Sequence, residues 1–250
     1  MIAYHGTPLT PDRALIQALT KRHAMVSFWR PDQLATVAEV CQSFALDNGA
    51  FSAWKHGTPI RDWTPYATWA DEWLRHPGCD WVVIPDVIDG SEQDNDDLIA
   101  WWRDRGMRDA WSVPVWHLHE SIERLARLVA EWPRVALGSS GAYATVGTEE
   151  WWARMAEAMA VACDGERRPK TKLHGLRMLN PTVLSHLPLA SADSTMVARN
   201  IGIDQRWRGT FTPASKGVRA AVLVDRIEHH AVAARWSGVF GHQMNFELLG

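Results

Sequence analysis

Short apolar runs recur along this chain, each closed by a polar or glycine residue and each followed by a longer stretch of helical periodicity. A strand buried on both faces reads as a short apolar run, and the helix that carries the chain back reads as a longer amphipathic one, so the alternation marks repeated βα units. Ile2–His5 leads to Pro11–Arg22, Ala24–Trp29 to Asp32–Cys41, and Phe44–Asp47 through a loop to Trp63–Arg75. Trp81–Pro85 then precedes Ser91–Arg105, Val113–Leu118 precedes Ser121–Glu131, and Val135–Leu137 precedes Thr148–Cys163. Leu173–Met178 with the short Pro181–His186 turn, and Leu189–Ala192 with the segment from Met196 onward, bring the count to eight. Eight parallel strands alternating with helices close into a (β/α)8 barrel, and 250 residues is an ordinary size for one.

Helical spacing supports the expectation. Trp69 and Trp73, like Leu125 and Val129, stand four apart and give single apolar faces to lay on a barrel. A doubly wound sheet is the alternative α/β arrangement, but no GxGxxG or GxxxxGK[ST] follows any strand, which removes the usual support for a nucleotide cofactor. Without a linker or repeat, residues 1–250 read as a single domain.

Composition narrows the class of function. The 46% hydrophobic and 22% charged content is that of a globule with a sizeable core. Cys41, Cys79 and Cys163 are far apart, with no CxxC spacing, and imply buried thiols rather than disulfides or a cysteine zinc site. No run approaches the ~18 apolar residues of a membrane span, and Met-Ile-Ala-Tyr-His-Gly lacks the pattern of a signal peptide, so a cytoplasmic protein without membrane contact is expected. A net charge of −3 argues against a general nucleic-acid binder but leaves room for local basic patches. Three occur: Arg103, Arg105 and Arg108; Arg167, Arg168, Lys170 and Lys172; and Arg199, Arg206, Arg208, Lys216 and Arg219.

Active sites of such barrels lie at the C-terminal ends of the strands. The residues closing the apolar runs are therefore the ones to examine: His5-Gly6, Trp29, Asp47-Asn48-Gly49, Asp86, His117, His119, Gly138-Ser139-Ser140-Gly141, His174-Gly175 and Asp193. Carboxylates gathered at one mouth raise at least one pKa among them, as acid/base chemistry requires. Asp47 and Asp193 suit a double displacement at a sugar carbon, one attacking and the other moving the proton of the leaving group. Each has a structural alternative: Asp47 in an Asp-Asn-Gly turn, Asp86 as a charge at a helix start, Asp193 as a helix cap.

Ala45-Leu46-Asp47-Asn48-Gly49-Ala50-Phe51 resembles the Asp-Ser-Gly-Gly/Ala-Phe motif of the tRNA-guanine transglycosylases. Ser191-Ala192-Asp193-Ser194-Thr195, followed by Ala198-Arg199-Asn200-Ile201-Gly202, is similar to their nucleophile segment and the Ala-Arg-Asn-Gly after it. Ile84-Pro85-Asp86 and the Gly-rich Leu137–Gly141 fall in matching order, so the likeness runs from about the third strand to the eighth. It implies Asp193 as nucleophile, Asp47 as general acid/base, Asp86 as partner of the base's amino-pyrimidine edge, and main-chain contacts from Gly138 and Ser139. His117 stands by position where the family keeps a glutamine. The family's Cys-x-Cys-x-x-Cys plus His zinc site has no counterpart, because no cysteine follows Cys163. The resemblance therefore implies a barrel without the zinc subdomain and without a cofactor, most like the phage-type enzymes that insert 7-deazaguanine bases such as preQ0 or preQ1 into DNA. DNA and the free base are then the expected partners, with tRNA as the alternative polymer and the oligomeric state open. Arg199, Arg206, Arg208 and Lys216, just past the nucleophile, are the candidates for phosphate contacts.

Most of the fifteen tryptophans should be core, but Trp29, Trp54 and Trp116 sit at or past strand ends where a ring can stack on an extruded base. Phe51 and Met178 are similar candidates. Alternatives to base exchange are a hydrolase on the same barrel, a metal-dependent amidohydrolase-like site built from His5, His117, His119 and His174, and a non-catalytic nucleic-acid binder.

Overall fold

The computed structural model describes residues 1–202, 207 and 211–238. Nine parallel strands form one sheet: β1 (Ile2–Gly6), β2 (His23–Ser27), β3 (Ser43–Asp47), β4 (Cys79–Val83), β5 (Ser112–Val113), β6 (Val115–His117), β7 (Arg134–Gly138), β8 (Lys172–Gly175) and β9 (Ser191–Ser194). Their order is β5-β4-β3-β2-β1-β9-β8-β7-β6, which wraps the sheet into a nearly closed barrel.

The seam lies at Pro114. Proline has no N–H to give a ladder, so the run expected as one strand over Val113–Leu118 is split into β5 and β6. Val113 C=O accepts from Ile84 N at 2.9 Å on one side, and Pro114 C=O accepts from Ala136 N at 2.9 Å on the other. The two halves bond different neighbours, and the chain through Pro114 joins the ends of the sheet. Counted as one strand, they restore the eightfold βα rhythm.

Helices follow the strands as α1 (Asp12–Leu19), α2 (Leu34–Val40), α3 (Ala50–Lys55), α4 (Thr64–Leu74), α5 (Glu92–Asp104), α6 (Ile122–Glu131), α7 (Glu149–Ala162), α8 (Pro181–Leu184), α9 (Met196–Asn200) and α10 (Lys216–Glu228). Their starts are set locally. Ser91 and Asp94 form a reciprocal capping box on α5, and the side chains of Ser121 and Thr148 accept from Arg124 N and Trp151 N on α6 and α7. α3 is the one helix standing where the sequence reads as loop; it is six residues long and too short to show a period.

Alternation along the strands sorts their side chains. Tyr4, Met25, Ala45, Trp81, Val83, Val113, Val115 and Ala136 pack together inside the bore, large rings facing small alanines. Their neighbours in sequence, such as Phe44, Leu46, Val82, Val135 and Leu137, pack outward against the helices. Most apolar burial lies in that outer layer, where each buried Leu or Phe stabilises by roughly 1.5–3 kcal/mol. The bore is partly polar by comparison. Tyr4 donates to Asp80 Oδ2 at 2.6 Å, Trp81 Nε1 donates to the Tyr4 hydroxyl at 3.1 Å, and Arg134 Nη1 donates to Ser191 Oγ at 2.8 Å. Among the described residues no helix is long and apolar enough to cross a membrane.

Candidate active site

Because side chains alternate, the residue two places beyond an inward one is inward again. Beyond Ala45, Val115 and Ala136 come Asp47, His117 and Gly138, and beyond Ser191 comes Asp193, so the last inward layer before the C-terminal mouth carries these residues together. Asp86 joins them from the loop just after β4.

Asp193 is buried within β9, not at the cap of the following helix. The residue before α9 is Thr195, whose side chain makes no capping bond, so the cap reading of Asp193 is set aside. Its Oδ1 accepts the backbone N–H of Arg177 at 2.8 Å and faces His174 Nε2 at 3.4 Å. Ser191 Oγ accepts from Arg134 Nη1 at 2.8 Å and shares a hydrogen bond with His174 Nδ1, 2.9 Å away. Burial holds the His174 pKa below its usual value, which favours the neutral ring. His174 lies beneath Asp193 in the bore, close to its carboxylate but off the direction of a linear hydrogen bond.

Asp47 ends β3 with Oδ2 accepting from Gly49 N at 3.1 Å, so it does take part in the Asp-Asn-Gly turn. The turn also points it into the mouth. Burial, with Asp193 and Asp86 adding like charge, pushes its pKa up to about 6, against the lowering pull of its hydrogen bonds from Ser27 and Gly49. Gly49 is in the left-handed region at φ 80°, and a side chain there would meet Trp29 N at 2.9 Å, so the turn admits no larger residue.

Asp86 is buried and engaged on both oxygens rather than capping α5. Asn48 Nδ2 donates to Oδ1 at 2.6 Å and to Ile84 C=O at 2.7 Å, while His117 Nε2 lies 2.8 Å from Oδ2, off the direction of a linear hydrogen bond. His117 is fixed through its backbone, whose N–H donates to Glu120 Oε2 at 2.9 Å. Glu120 in turn pairs with Arg124 at 2.6 Å and accepts from Asn95 at 2.9 Å, all of it out of solvent. Glycine at 138 leaves room for the His117 ring, since a Cβ there would stand 3.0 Å from His117 Nδ1 and press on it.

Several expectations need correction. Met178 is fully buried in the outer core and cannot touch a ligand in the mouth, because β8 ends at Gly175 and the chain turns away before it. The Gly138 carbonyl accepts from Leu118 N at 2.9 Å, and the Ser139 carbonyl is met by a mouth residue. Trp116 is buried and spends its Nε1 proton on Ser121 C=O, whereas Trp29 and Trp54 are exposed as expected. His5 points outward from β1 to Glu228 Oε1 at 3.0 Å, so it does not share a site with His117, His119 and His174. Among the described residues no group of three His, Cys, Asp or Glu side chains is placed to hold a metal ion.

Arg177 is the mouth residue that sequence reasoning missed. Its backbone is left-handed at φ 59°, unusual for a side-chain-bearing residue, and this conformation turns the N–H to Asp193. Its guanidinium lies 3.8 Å above the Phe51 ring centre, and Nη2 donates to Ser139 C=O. Burial lowers its pKa while Asp193 and Asp47 oppose that, with Arg199 near enough to add repulsion. Arg199 itself is exposed on α9 and has no acidic partner among the described residues, and Lys216 is exposed at the start of α10. Arg206 and Arg208 lie outside the described residues.

Exposed aromatics stand on the loops of the same end. Trp29 stacks on His56 with ring centres 5.3 Å apart, and Phe51 packs against Trp54, whose Nε1 donates to Asp89 at 3.0 Å. Comparison with protein-family models and with curated proteins yields no match.

Proposed function

We propose that this barrel is a base-exchange enzyme that replaces guanine in DNA with a 7-deazaguanine base. The observation that carries the reading is the pair of mouth carboxylates in unlike surroundings: Asp193 held by a backbone N–H above a buried histidine, Asp47 beside two other carboxylates and lifted to about 6. Unequal environments of this kind divide two carboxylates into an attacking group and a proton carrier.

Asp193 attacks the anomeric carbon, forming a carbon–oxygen bond as the carbon–N9 bond to guanine breaks. Asp47, in its acid form, gives its proton to the departing base. The incoming base then gives its N9 proton to the Asp47 carboxylate and attacks the same carbon, and the ester to Asp193 opens. Two inversions give net retention, and atoms and protons balance with no redox partner. A group near pKa 6 serves in both directions near neutrality.

The polymer reading draws on the edge of the mouth. A base inside a duplex must leave the stack to reach such a pocket, and the exposed Trp29 and Trp54 with Arg199 and Lys216 supply stacking faces and charge for an extruded strand. tRNA would use the same features. Incubation with DNA or tRNA plus preQ0, followed by nucleoside mass analysis, separates the two. Incorporation into DNA that is lost with Asp193→Ala supports the reading; incorporation into tRNA alone changes the polymer, and guanine release without incorporation makes the protein a hydrolase.

A further inference from the structure

Arg177 does in this structure what a bound base would do. Its planar guanidinium covers the face of Phe51 at 3.8 Å and donates to the Ser139 carbonyl, in front of Asp47 and Asp193. Planar cations stack on aromatic rings and donate in a fixed fork, and a neutral guanidine unit has the same planar outline with N–H donors along part of it. Guanine carries such a unit, because its C2 is bonded to N1, N2 and N3.

We propose that Phe51 and the Ser139 carbonyl form a guanidine-recognition subsite, that Arg177 fills it when no ligand is bound, and that the guanine edge of the substrate displaces the side chain. Three features suit a side chain that comes and goes. Arg177 is only partly buried, Arg199 stands near enough to repel it, and the bond that orients Asp193 comes from the Arg177 backbone and survives the departure of the guanidinium. An internal competitor lowers apparent affinity in proportion to the time it occupies the site, so occupancy nine-tenths of the time weakens ligand binding about tenfold.

The identity of the displacing ligand rests on the base-exchange reading; the subsite does not, and the test keeps them apart. Binding of guanidinium ion and of free guanine is measured by calorimetry on the wild type, Arg177→Gly, Arg177→Ala and the double variant Arg177→Gly with Phe51→Ala. Glycine keeps the backbone N–H and accepts the left-handed conformation, so that variant should fold at least as well as the parent. The expected result is guanidinium binding by Arg177→Gly and Arg177→Ala but not by the wild type, loss of that binding in the double variant, and about tenfold tighter guanine binding without Arg177. Guanidinium binding without guanine binding keeps the subsite and overturns the base-exchange reading. Equal guanidinium binding, or none, in wild type and Arg177→Gly overturns the subsite, and weaker guanine binding in Arg177→Gly overturns displacement by making Arg177 a substrate contact.

Discussion

The backbone N–H of Arg177 donates to Asp193 Oδ1 at 2.8 Å, from the loop that leaves the neighbouring strand. The carboxylate is thus oriented by the main chain of β8's exit, with the His174 ring below it 3.4 Å from the same oxygen. Oδ2 accepts no hydrogen bond among the described residues, so in the proposed reaction it is the oxygen free to attack. A nucleophile held in place before its substrate arrives has a lower barrier to cross.

Asp47 makes stability depend on pH in a stated direction. Its pKa in the folded protein, about 6, lies above the ordinary 3.8, so between those values the folded state binds the proton more tightly than the unfolded chain. Stability therefore falls as pH rises through that window, by about 2–3 kcal/mol in total for a shift of this size. Asp47→Asn removes the cost. Urea unfolding should show the variant about 2 kcal/mol more stable at pH 7.5, with the advantage shrinking toward pH 4 while activity is lost; a pH-independent difference would contradict the assignment.

Glu120 supports the mouth from the outer side of the barrel. It pairs with Arg124 and accepts from Asn95 and from His117 N, with no solvent to replace any partner. Removing Glu120 leaves Arg124 its second carboxylate, Asp96, at 3.0 Å, but strands the buried donors of Asn95 and His117 N, which costs about 1–3 kcal/mol each. Glu120→Ala should therefore lower the unfolding free energy by that order in chemical denaturation, and a change under 1 kcal/mol would mean the pair is solvated in solution.

Exposed rings at the mouth should bind bases with little sequence preference. Trp54→Ala and Trp29→Ala are each expected to weaken single-stranded DNA binding by roughly 1–3 kcal/mol with the salt dependence unchanged, since stacking carries no counterion release. Fluorescence titration at two salt concentrations measures both quantities. Unaltered affinity in both variants would place the strand elsewhere.

Much of this was legible in the order of residues, and the exceptions have physical causes. The βα rhythm forecasts the barrel because its strands are largely buried on both faces, and strand-end polarity picks out Asp47 and Asp193, which inward alternation carries to the mouth, and Asp86, which reaches it from the loop after β4. Pro114 hides inside an apolar run and splits it, which only the hydrogen-bond ladder reveals. Arg177 and Met178 were exchanged in importance for a related reason. Leu173–Met178 reads as one strand with Met178 at its tip, but the strand stops at Gly175 and the left-handed turn at Arg177 sends the arginine into the mouth and the methionine into the core. A positive φ at a residue that is neither glycine nor asparagine leaves no mark in sequence pattern. His174 and His5 look alike as strand-end histidines, yet strand parity turns one into the bore and the other toward α10.

Exchange of labelled free guanine into unmodified DNA tests the central claim most directly, because it requires the covalent intermediate and the base pocket but no knowledge of the natural incoming base. The account predicts time-dependent incorporation of label that disappears with Asp193→Ala and falls steeply with Asp47→Asn. Incorporation that survives Asp193→Ala, or guanine release with no label entering DNA, would contradict it.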